Sequence, residues 1–121
     1  AGRINLLQGD FFALTPAILG PIDAIYDRAA LIALPPELRK KYAALIQELV
    51  RHCASPDFVH LQIVLERTPQ DQKGPPFSIP EQELETLYGG FYRRETLSRE
   101  ALEAASPEAP TIHECIYRLT R

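Results

Sequence analysis

The chain has 121 residues, of which 45% are hydrophobic and 24% are charged, and this composition is typical of a folded protein and excludes a disordered one. Its net charge of −3, from 13 basic and 16 acidic residues spread along the sequence, argues against a nucleic-acid partner. The apolar runs are too short to cross a bilayer, so we expect one domain over residues 1–121, with no membrane partner, in the cytoplasm.

The cysteines and histidines predict neither a disulfide nor a metal site. Cys53 and Cys115 lie far apart and lack the CxxC spacing of a zinc or redox motif. The histidines at positions 52, 60 and 113 are too scattered to indicate a metal cluster. We therefore interpret the cysteines as buried free thiols, and each histidine as hydrogen-bonded or exposed.

Two strands are predicted in the first part of the chain. Ile4–Leu7 is an apolar run that ends in a Gln-Gly-Asp turn, as expected of a buried parallel strand. After a loop with room for one helical turn, Ile22–Tyr26 is the second strand, and it places Asp27 and Arg28 at its carboxyl end. Side chains at that end of a parallel sheet commonly form the functional site.

Two helices and a third strand are predicted next. A Pro-Pro pair suits the first turn of a helix over residues 36–52, whose apolar residues recur at helical spacing. Phe58–Leu65, apolar and rich in β-branched residues, then completes a parallel βαβ unit. Ser78 and Glu81 have the spacing of a capping box, which predicts a second crossover helix that ends at a Gly-Gly pair.

Two final strands, Phe91–Leu97 and Ile112–Thr120, mix polar and apolar residues and can pair antiparallel at the edge of the sheet. The order of elements predicts an α/β fold with a mostly parallel sheet. A nucleotide-binding domain normally opens with a strand, a glycine-rich turn and a helix, but no G-x-G spacing follows a strand here. Because the chain also starts at Ala1 without a methionine, we expect that N-terminal βα units are absent.

The first candidate for a functional role is the segment Gly9, Asp10 and Phe11. The carboxylate of Asp10 can accept a hydrogen bond from an amine such as adenine N6, while the neighbouring aromatic ring covers the base. The alternative is a plain turn, in which the aspartate caps nearby backbone amides.

The second candidate is the pair Asp27 and Arg28. The arginine can orient an anionic or heteroaromatic substrate, and the aspartate can polarise or deprotonate a nucleophile, so we predict a catalytic role for both. The alternative is a structural ion pair that ties the strand to a helix, since such pairs are common away from active sites.

The third candidate is the loop Gly74-Pro75-Pro76-Phe77, which is stiff and displays an aromatic side chain. Such a loop can form the wall of an apolar pocket for a small-molecule substrate. The alternative is a rigid connection without a binding role.

Together these segments resemble one known family. The runs Gly9–Pro16, Asp23–Pro36 and Gly74–Pro80 resemble the thiopurine S-methyltransferase family, especially its bacterial members, in order and spacing. The blocks Asp-Arg-Ala-Ala-Leu and Gly-Pro-Pro-Phe are specific to that family, whereas Gly-Asp-Phe-Phe alone is a weak signal.

The resemblance implies a Rossmann-like class I methyltransferase sheet, of which this chain is the C-terminal portion, mostly parallel with an antiparallel final strand pair. It also implies S-adenosyl-L-methionine as the methyl donor, with S-adenosyl-L-homocysteine as the product, and no metal. The methyl group is then transferred directly to a small thiol, thiopurine-like or chalcogen acceptor. Positioning the two reactants in line accounts for much of such catalysis.

Roles for individual residues also follow from the resemblance. Gly9, Asp10 and Phe11 would border the adenine of the cofactor. Arg28 would face the substrate near the transferable methyl group, with Asp27 beside it. Gly74, Pro76 and Phe77 would line or cover the acceptor pocket, although a second arginine that some members place between the final strands has no clear match.

Since the cofactor-binding units are expected to be absent, we expect the fragment by itself to be inactive and the intact parent protein to be the enzyme. The alternative is a truncated, non-catalytic module that associates with itself or with another chain. The sheet edge that the absent strands would otherwise cover favours such association.

Overall fold

The computed structural model describes residues 2–121, which form four strands and four α-helices. In chain order the elements are a 3₁₀ helix at Phe11–Ala13, α1 at Pro16–Leu19, β1 at Ile22–Arg28, α2 at Ala30–Ala33, α3 at Pro36–Cys53, β2 at Ala54–Thr68, α4 at Glu81–Tyr88, β3 at Arg93–Ala101 and β4 at Thr111–Thr120. The single turn of α1 confirms the helical turn predicted in the loop before β1.

The strands form one sheet in the order β1-β2-β4-β3. β1 and β2 are parallel, and β4 is antiparallel to both β2 and β3. The predicted α/β class, the parallel βαβ unit and the antiparallel final pair are therefore confirmed. β1, β2 and β3 run in the same direction, but β1 and β2 form the one parallel pair among the three neighbouring pairs, so the sheet is mixed. Of the final two strands, β3 lies at the edge and β4 lies inside the sheet.

Helix α3 extends one residue beyond the predicted range. It has proline in its first turn, where the missing amide hydrogen would have no helical partner. Glu37 in the first turn and Arg51 in the last complement the helix dipole. Tyr42, Ile46 and Leu49 recur at spacings of three and four residues and are all buried, so this stripe packs on the sheet.

The predicted capping box of α4 is wrong. The N-cap is Pro80, and no side chain caps the helix. Ser78 instead accepts a hydrogen bond of 2.8 Å from the backbone amide of Arg67. This hydrogen bond joins Ser78 to the end of β2, so its hydroxyl does not cap α4.

The predicted strand at Ile4–Leu7 is also wrong. In the described part of the chain, no strand precedes β1, and Ile4 and Leu6 are 89% and 92% exposed. A run of apolar residues becomes a stable strand only if a neighbouring strand takes up its backbone hydrogen bonds. Ile4–Leu7 pairs with none of the described strands, so its backbone hydrogen bonds are not taken up by a sheet.

The core lies between the sheet and one layer of helices. Ile46 of α3 and Leu84 of α4 pack in one cluster with Val64 of β2 and Tyr117 of β4. Gln47 joins the two helices, because its side-chain amide donates a 2.8 Å hydrogen bond to the carbonyl of residue 87 in α4. The opposite face of β1 carries the exposed side chains of residues 26 and 28.

A carboxylate is buried in this core. Asp27 is 4% exposed, and its Oδ2 accepts a hydrogen bond of 2.6 Å from the hydroxyl of Tyr42. The same oxygen lies 3.3 Å from Nε2 of His60, whose Nδ1 lies 3.1 Å from the hydroxyl of Tyr92. With its proton on Nε2, His60 donates to Asp27 and accepts from Tyr92. The network ties β1 to α3, to β2 and to the segment before β3.

The two tyrosines act as donors in this network. Burial, and then the negative charge of Asp27, raise the pKa of Tyr42 well above its usual value. Burial also raises the pKa of Tyr92. Both phenols therefore keep their protons at neutral pH, which is what a buried carboxylate and an imidazole nitrogen require as partners.

We predict that Tyr42→Phe lowers the free energy of unfolding by about 1–3 kcal/mol, because a buried carboxylate loses its shortest hydrogen bond. The matched control is Tyr26→Phe, since Tyr26 is 65% exposed, and a change within about 0.5 kcal/mol is expected there. Urea denaturation followed by circular dichroism measures both. Equal effects of the two substitutions would contradict the role given to Tyr42.

Candidate functional site

Asp27 and Arg28 stand at the carboxyl end of β1, and their side chains lie on opposite faces of the sheet. Asp27 points into the core, whereas the side chain of Arg28 is 61% exposed. Nη2 of Arg28 lies 3.7 Å from Oε2 of Glu114, which is a loose ion pair. The two residues therefore do not pair with each other. Asp27 ties the strand to α3 through Tyr42, and Arg28 keeps donors available to an anionic or polar ligand.

The residue after this pair has an uncommon backbone conformation. Ala29 has a φ of 71°, in the left-handed region that residues other than glycine rarely adopt. It lies between β1 and α2, and the side chain of Leu31 in α2 is completely buried. Burial of α2 thus holds the strained turn in place, and backbone strain of this kind is frequent at functional sites.

The segment Gly9, Asp10 and Phe11 begins the 3₁₀ helix and does not end a strand. Oδ1 of Asp10 accepts a hydrogen bond of 2.9 Å from the backbone amide of Phe12, which is the capping arrangement of a turn. Oδ2 forms no hydrogen bond within residues 2–121. Phe11 stacks on Tyr42 with 5.4 Å between ring centroids and an angle of 27°, yet remains 43% exposed.

An open groove of about 510 Å³ lies beside this segment. Gly9, Asp10 and Phe11 line it, together with Asn5 and Ile18. The groove offers a carboxylate oxygen without a partner, an exposed aromatic ring and apolar side chains. This set suits a heteroaromatic base with an exocyclic amine, because the amine donates to the carboxylate and the ring contacts Phe11. The residues present thus fit the adenine end of a nucleoside cofactor.

The loop that carries Phe77 is organised by Arg67 at the end of β2. Its guanidinium binds the carboxylate of Asp71 through two nitrogens, at 2.7 and 3.1 Å. It also donates to the carbonyl of Pro76 at 2.7 Å and to that of Lys73. The hydrogen bond from Arg67 lowers the pKa of Asp71, so the pair stays ionised at neutral pH. One side chain therefore fixes both ends of the Gly-Pro-Pro turn.

Phe77 itself is held on three sides. Its backbone amide donates to the carbonyl of Ile32 at 2.6 Å. The guanidinium carbon of Arg39 lies 5.2 Å from the centre of the ring. A β-carbon on residue 74 would lie 2.5 Å from Cδ1 of Phe77, so only glycine allows this close approach. The loop is thus a built structure that presents a half-buried aromatic ring next to α2.

Helix α3 connects all three predicted segments. Arg39 and Tyr42 lie three residues apart and therefore on the same face. Arg39 contacts Phe77, whereas Tyr42 contacts both Phe11 and Asp27. The groove beside Phe11, however, is lined by neither Arg28 nor Phe77. This groove by itself therefore does not bring the three segments together.

Sequence reasoning missed the residues that position these segments. Arg67 carried no signal beyond its place at the end of a strand. His60 is completely buried in the middle of an apolar strand, and a polar residue there must have a partner. That requirement could have pointed to a buried acid or phenol, but not to Asp27 or Tyr42 in particular, because the partners come from other elements.

Metal sites and membrane-spanning helices are absent from residues 2–121. No group of three or more His, Cys, Asp or Glu residues could hold a metal ion. No helix in the same range is long and apolar enough to span a membrane. Cys53 and Cys115 are buried free thiols, as the sequence predicted.

Comparison with known proteins gives one consistent result. The family model described as thiopurine S-methyltransferase (TPMT) matches residues 1–121. The chain is 45% identical to a thiopurine S-methyltransferase of Methylococcus capsulatus over 104 residues, which are 85% of this chain and 45% of that protein. It is 43% identical to that of Pseudomonas aeruginosa over 96 residues, or 79% of this chain and 42% of the other.

A further relative, from Teredinibacter turnerae, is 38% identical over all 121 residues and is covered over 54% of its own length. The chain therefore spans about half the length of the relatives that it matches. Since the family model matches the full sequence, the chain belongs to the thiopurine S-methyltransferase family.

Proposed function

We propose that this chain is the acceptor-binding half of an S-adenosyl-L-methionine-dependent methyltransferase, whose substrate is a small thiol, thiopurine-like or chalcogen compound. Membership of the family supports methyl transfer. The observation that carries the assignment to this half is the position of Arg28, which projects from the carboxyl end of β1 with most of its side chain exposed.

The sheet supports the same proposal at the level of the fold. An α/β chain with β1 parallel to β2 and an antiparallel final pair is consistent with the C-terminal part of a Rossmann-like class I sheet. We propose that the remaining strands pair with the free edge of β1. The buried free thiols agree with a reducing compartment, such as the cytoplasm.

The cofactor would bind in the groove beside the 3₁₀ helix. Asp10 would accept a hydrogen bond from the adenine amine, and Phe11 would cover the ring. Gly9 has no side chain and a φ of 154°, and nothing lies within 4 Å of the position of a β-carbon there, so the backbone can approach a ligand closely. When bound, the cofactor supplies a methyl group on a positively charged sulfur.

The acceptor would bind between Arg28 and the loop of Phe77. A thiol acceptor reacts as its thiolate, and the guanidinium of Arg28 stabilises that charge through ionic hydrogen bonds. Gly74, Pro76 and Phe77 would form an apolar wall that excludes water. Arg28 and this wall would hold the thiolate in line with the methyl group that the bound cofactor would supply, without a covalent enzyme intermediate.

The sequence predicted a catalytic role for Asp27. Its hydrogen bonds with Tyr42 and His60 support a structural role instead. In this role the buried carboxylate fixes the end of β1 and thereby the direction of the Arg28 side chain. We therefore propose that Asp27 positions Arg28. Without the upstream half, we propose that the 121 residues alone are inactive.

A second candidate function is association of this chain with itself or with another chain, without catalysis. Among the described strands β1 pairs only with β2, so its other edge is free, and Tyr26 on it is 65% exposed. Unpaired strand edges promote pairing with other chains.

We predict that an N-terminally extended protein with the rest of the methyltransferase domain binds S-adenosyl-L-homocysteine, and that Phe11→Ala weakens binding about tenfold through loss of aromatic contact. The matched control is Phe12→Ala, since Phe12 does not line the groove. Isothermal titration calorimetry measures both. If the unsubstituted extended protein has no affinity, the enzymatic proposal fails, and equal effects of the two substitutions contradict the adenine site.

We predict that Arg28→Gln lowers kcat/KM for an aromatic thiol by about 10- to 150-fold in that protein, because one ionic hydrogen bond is lost. Arg118→Gln is the control, since Arg118 is an exposed arginine on β4 whose ion pair with Glu95 is loose at 3.7 Å. A steady-state assay of methyl transfer measures kcat/KM for both variants. Unchanged kcat/KM in Arg28→Gln would contradict the role of this arginine.

For the second candidate, we predict a concentration-dependent dimer of the 121-residue chain, because pairing covers the free edge of β1. Sedimentation velocity over a hundredfold range of concentration tests this. Tyr26→Lys should favour the monomer, since a charge on an edge strand opposes pairing. A folded monomer at every concentration would contradict self-association and leave the enzymatic proposal untouched.

A further inference from the structure

A pocket of about 500 Å³ lies at the end of the sheet opposite to Asp27 and Arg28. It is formed where α3 ends, β2 and β3 begin and β4 ends. β1 and β2 are parallel, and β2 begins at this pocket, whereas the proposed active site is at the end of β1. The two sites are therefore separated by the length of the sheet.

The charge of this pocket differs from that of the chain. The chain has a net charge of −3, yet Arg51, Arg93 and Arg121 all line the pocket and no aspartate or glutamate does. Arg51 lies 3.5 Å from Glu48, but Arg93 and Arg121 form no ion pair with any residue in the described range 2–121. Cations that converge on a cleft repel one another and attract anions from solution.

One aromatic ring holds two of these arginines. The guanidinium carbon of Arg121 lies 3.8 Å from the centre of the Phe91 ring, and that of Arg51 lies 5.3 Å from it. Phe91 is fixed by a hydrogen bond of 2.8 Å from its amide to the carbonyl of Tyr88 and by an edge contact with Tyr92. The cation–π contacts hold the guanidinium groups in position before a ligand binds, so less conformational entropy is lost on binding.

The remaining lining supplies a donor and free space. The hydroxyl of Ser55 makes no hydrogen bond within the described chain, so it is free to donate. Gly90 has nothing within 4 Å of the position of a β-carbon, so the pocket is open on that side. Guanidinium groups bind tetrahedral oxyanions through paired N–H donors, so arginines that line one pocket beside a hydroxyl suit such an anion.

We propose that this pocket binds a phosphate group, either as inorganic phosphate or at the end of a small phosphate monoester. The site does not depend on the methyl-transfer proposal, since it shares no residue with the groove, with Arg28 or with the loop of Phe77. Its volume exceeds that of a single phosphate ion, so it has room for the organic part of a small monoester.

The test is a titration of the full chain with inorganic phosphate, and separately with methyl phosphate, at constant ionic strength set with sodium chloride. The signals of the arginine Nε–H groups are followed by ¹H–¹⁵N NMR. We expect saturable shifts at Arg93 and Arg121. The double substitution Arg93→Gln and Arg121→Gln should weaken binding at least about tenfold, whereas Arg118→Gln should not change it.

Tighter binding of methyl phosphate would identify the monoester as the ligand class, and tighter binding of inorganic phosphate the free ion. The proposal is overturned if neither titration saturates, if chloride alone gives the same shifts, or if Arg118→Gln weakens binding as much as the double substitution. Both variants change only exposed side chains, and their folding is checked by circular dichroism.

Discussion

The burial of the Asp27 carboxylate is the constraint on which the site depends. A charge taken out of water needs hydrogen-bond donors, and here Tyr42 and His60 both donate to Oδ2 of Asp27, whereas Oδ1 has no partner within residues 2–121. Because one comes from α3 and the other from β2, satisfying the carboxylate also sets the distance between helix and sheet. The end of β1 is fixed as a result, and with it the direction of Arg28 on the opposite face.

Secondary structure was largely predictable from the sequence because local signals determine it. The proline pair and helical spacing of α3, and the β-branched run of β2, were sufficient. The failures were at Ile4–Leu7 and Ser78, where a local pattern suited two outcomes. An apolar run forms a strand only beside another strand, and a serine forms a cap only if nothing else binds its hydroxyl. Both conditions depend on distant residues, and a single sequence does not reveal them.

In the candidate site, too, local features were predictable from the sequence, whereas contacts between distant residues were not. The motifs around Asp10, Arg28 and Phe77 were visible as residues with suitable chemistry, and the family resemblance was confirmed. The residues that position these motifs could not be recognised from the sequence, because Tyr42 lies within a helical pattern and Arg67 follows a predicted strand. Tyr42 contacts Asp27 and Phe11, which are distant in sequence, and Arg67 binds a loop without regular structure. Only the folded chain shows these contacts.

The most direct test of this account is native-state hydrogen exchange of Tyr42→Phe compared with the unsubstituted chain. If the Tyr42 hydroxyl positions the site through Asp27, exchange should accelerate at the amide of Ala29. The amide of Phe12, next to the ring contact that the substitution keeps, and the amides between β3 and β4 should keep their protection. An acceleration spread evenly over the whole sheet, or confined to α3, would show that the tyrosine contributes only general stability and would contradict the account.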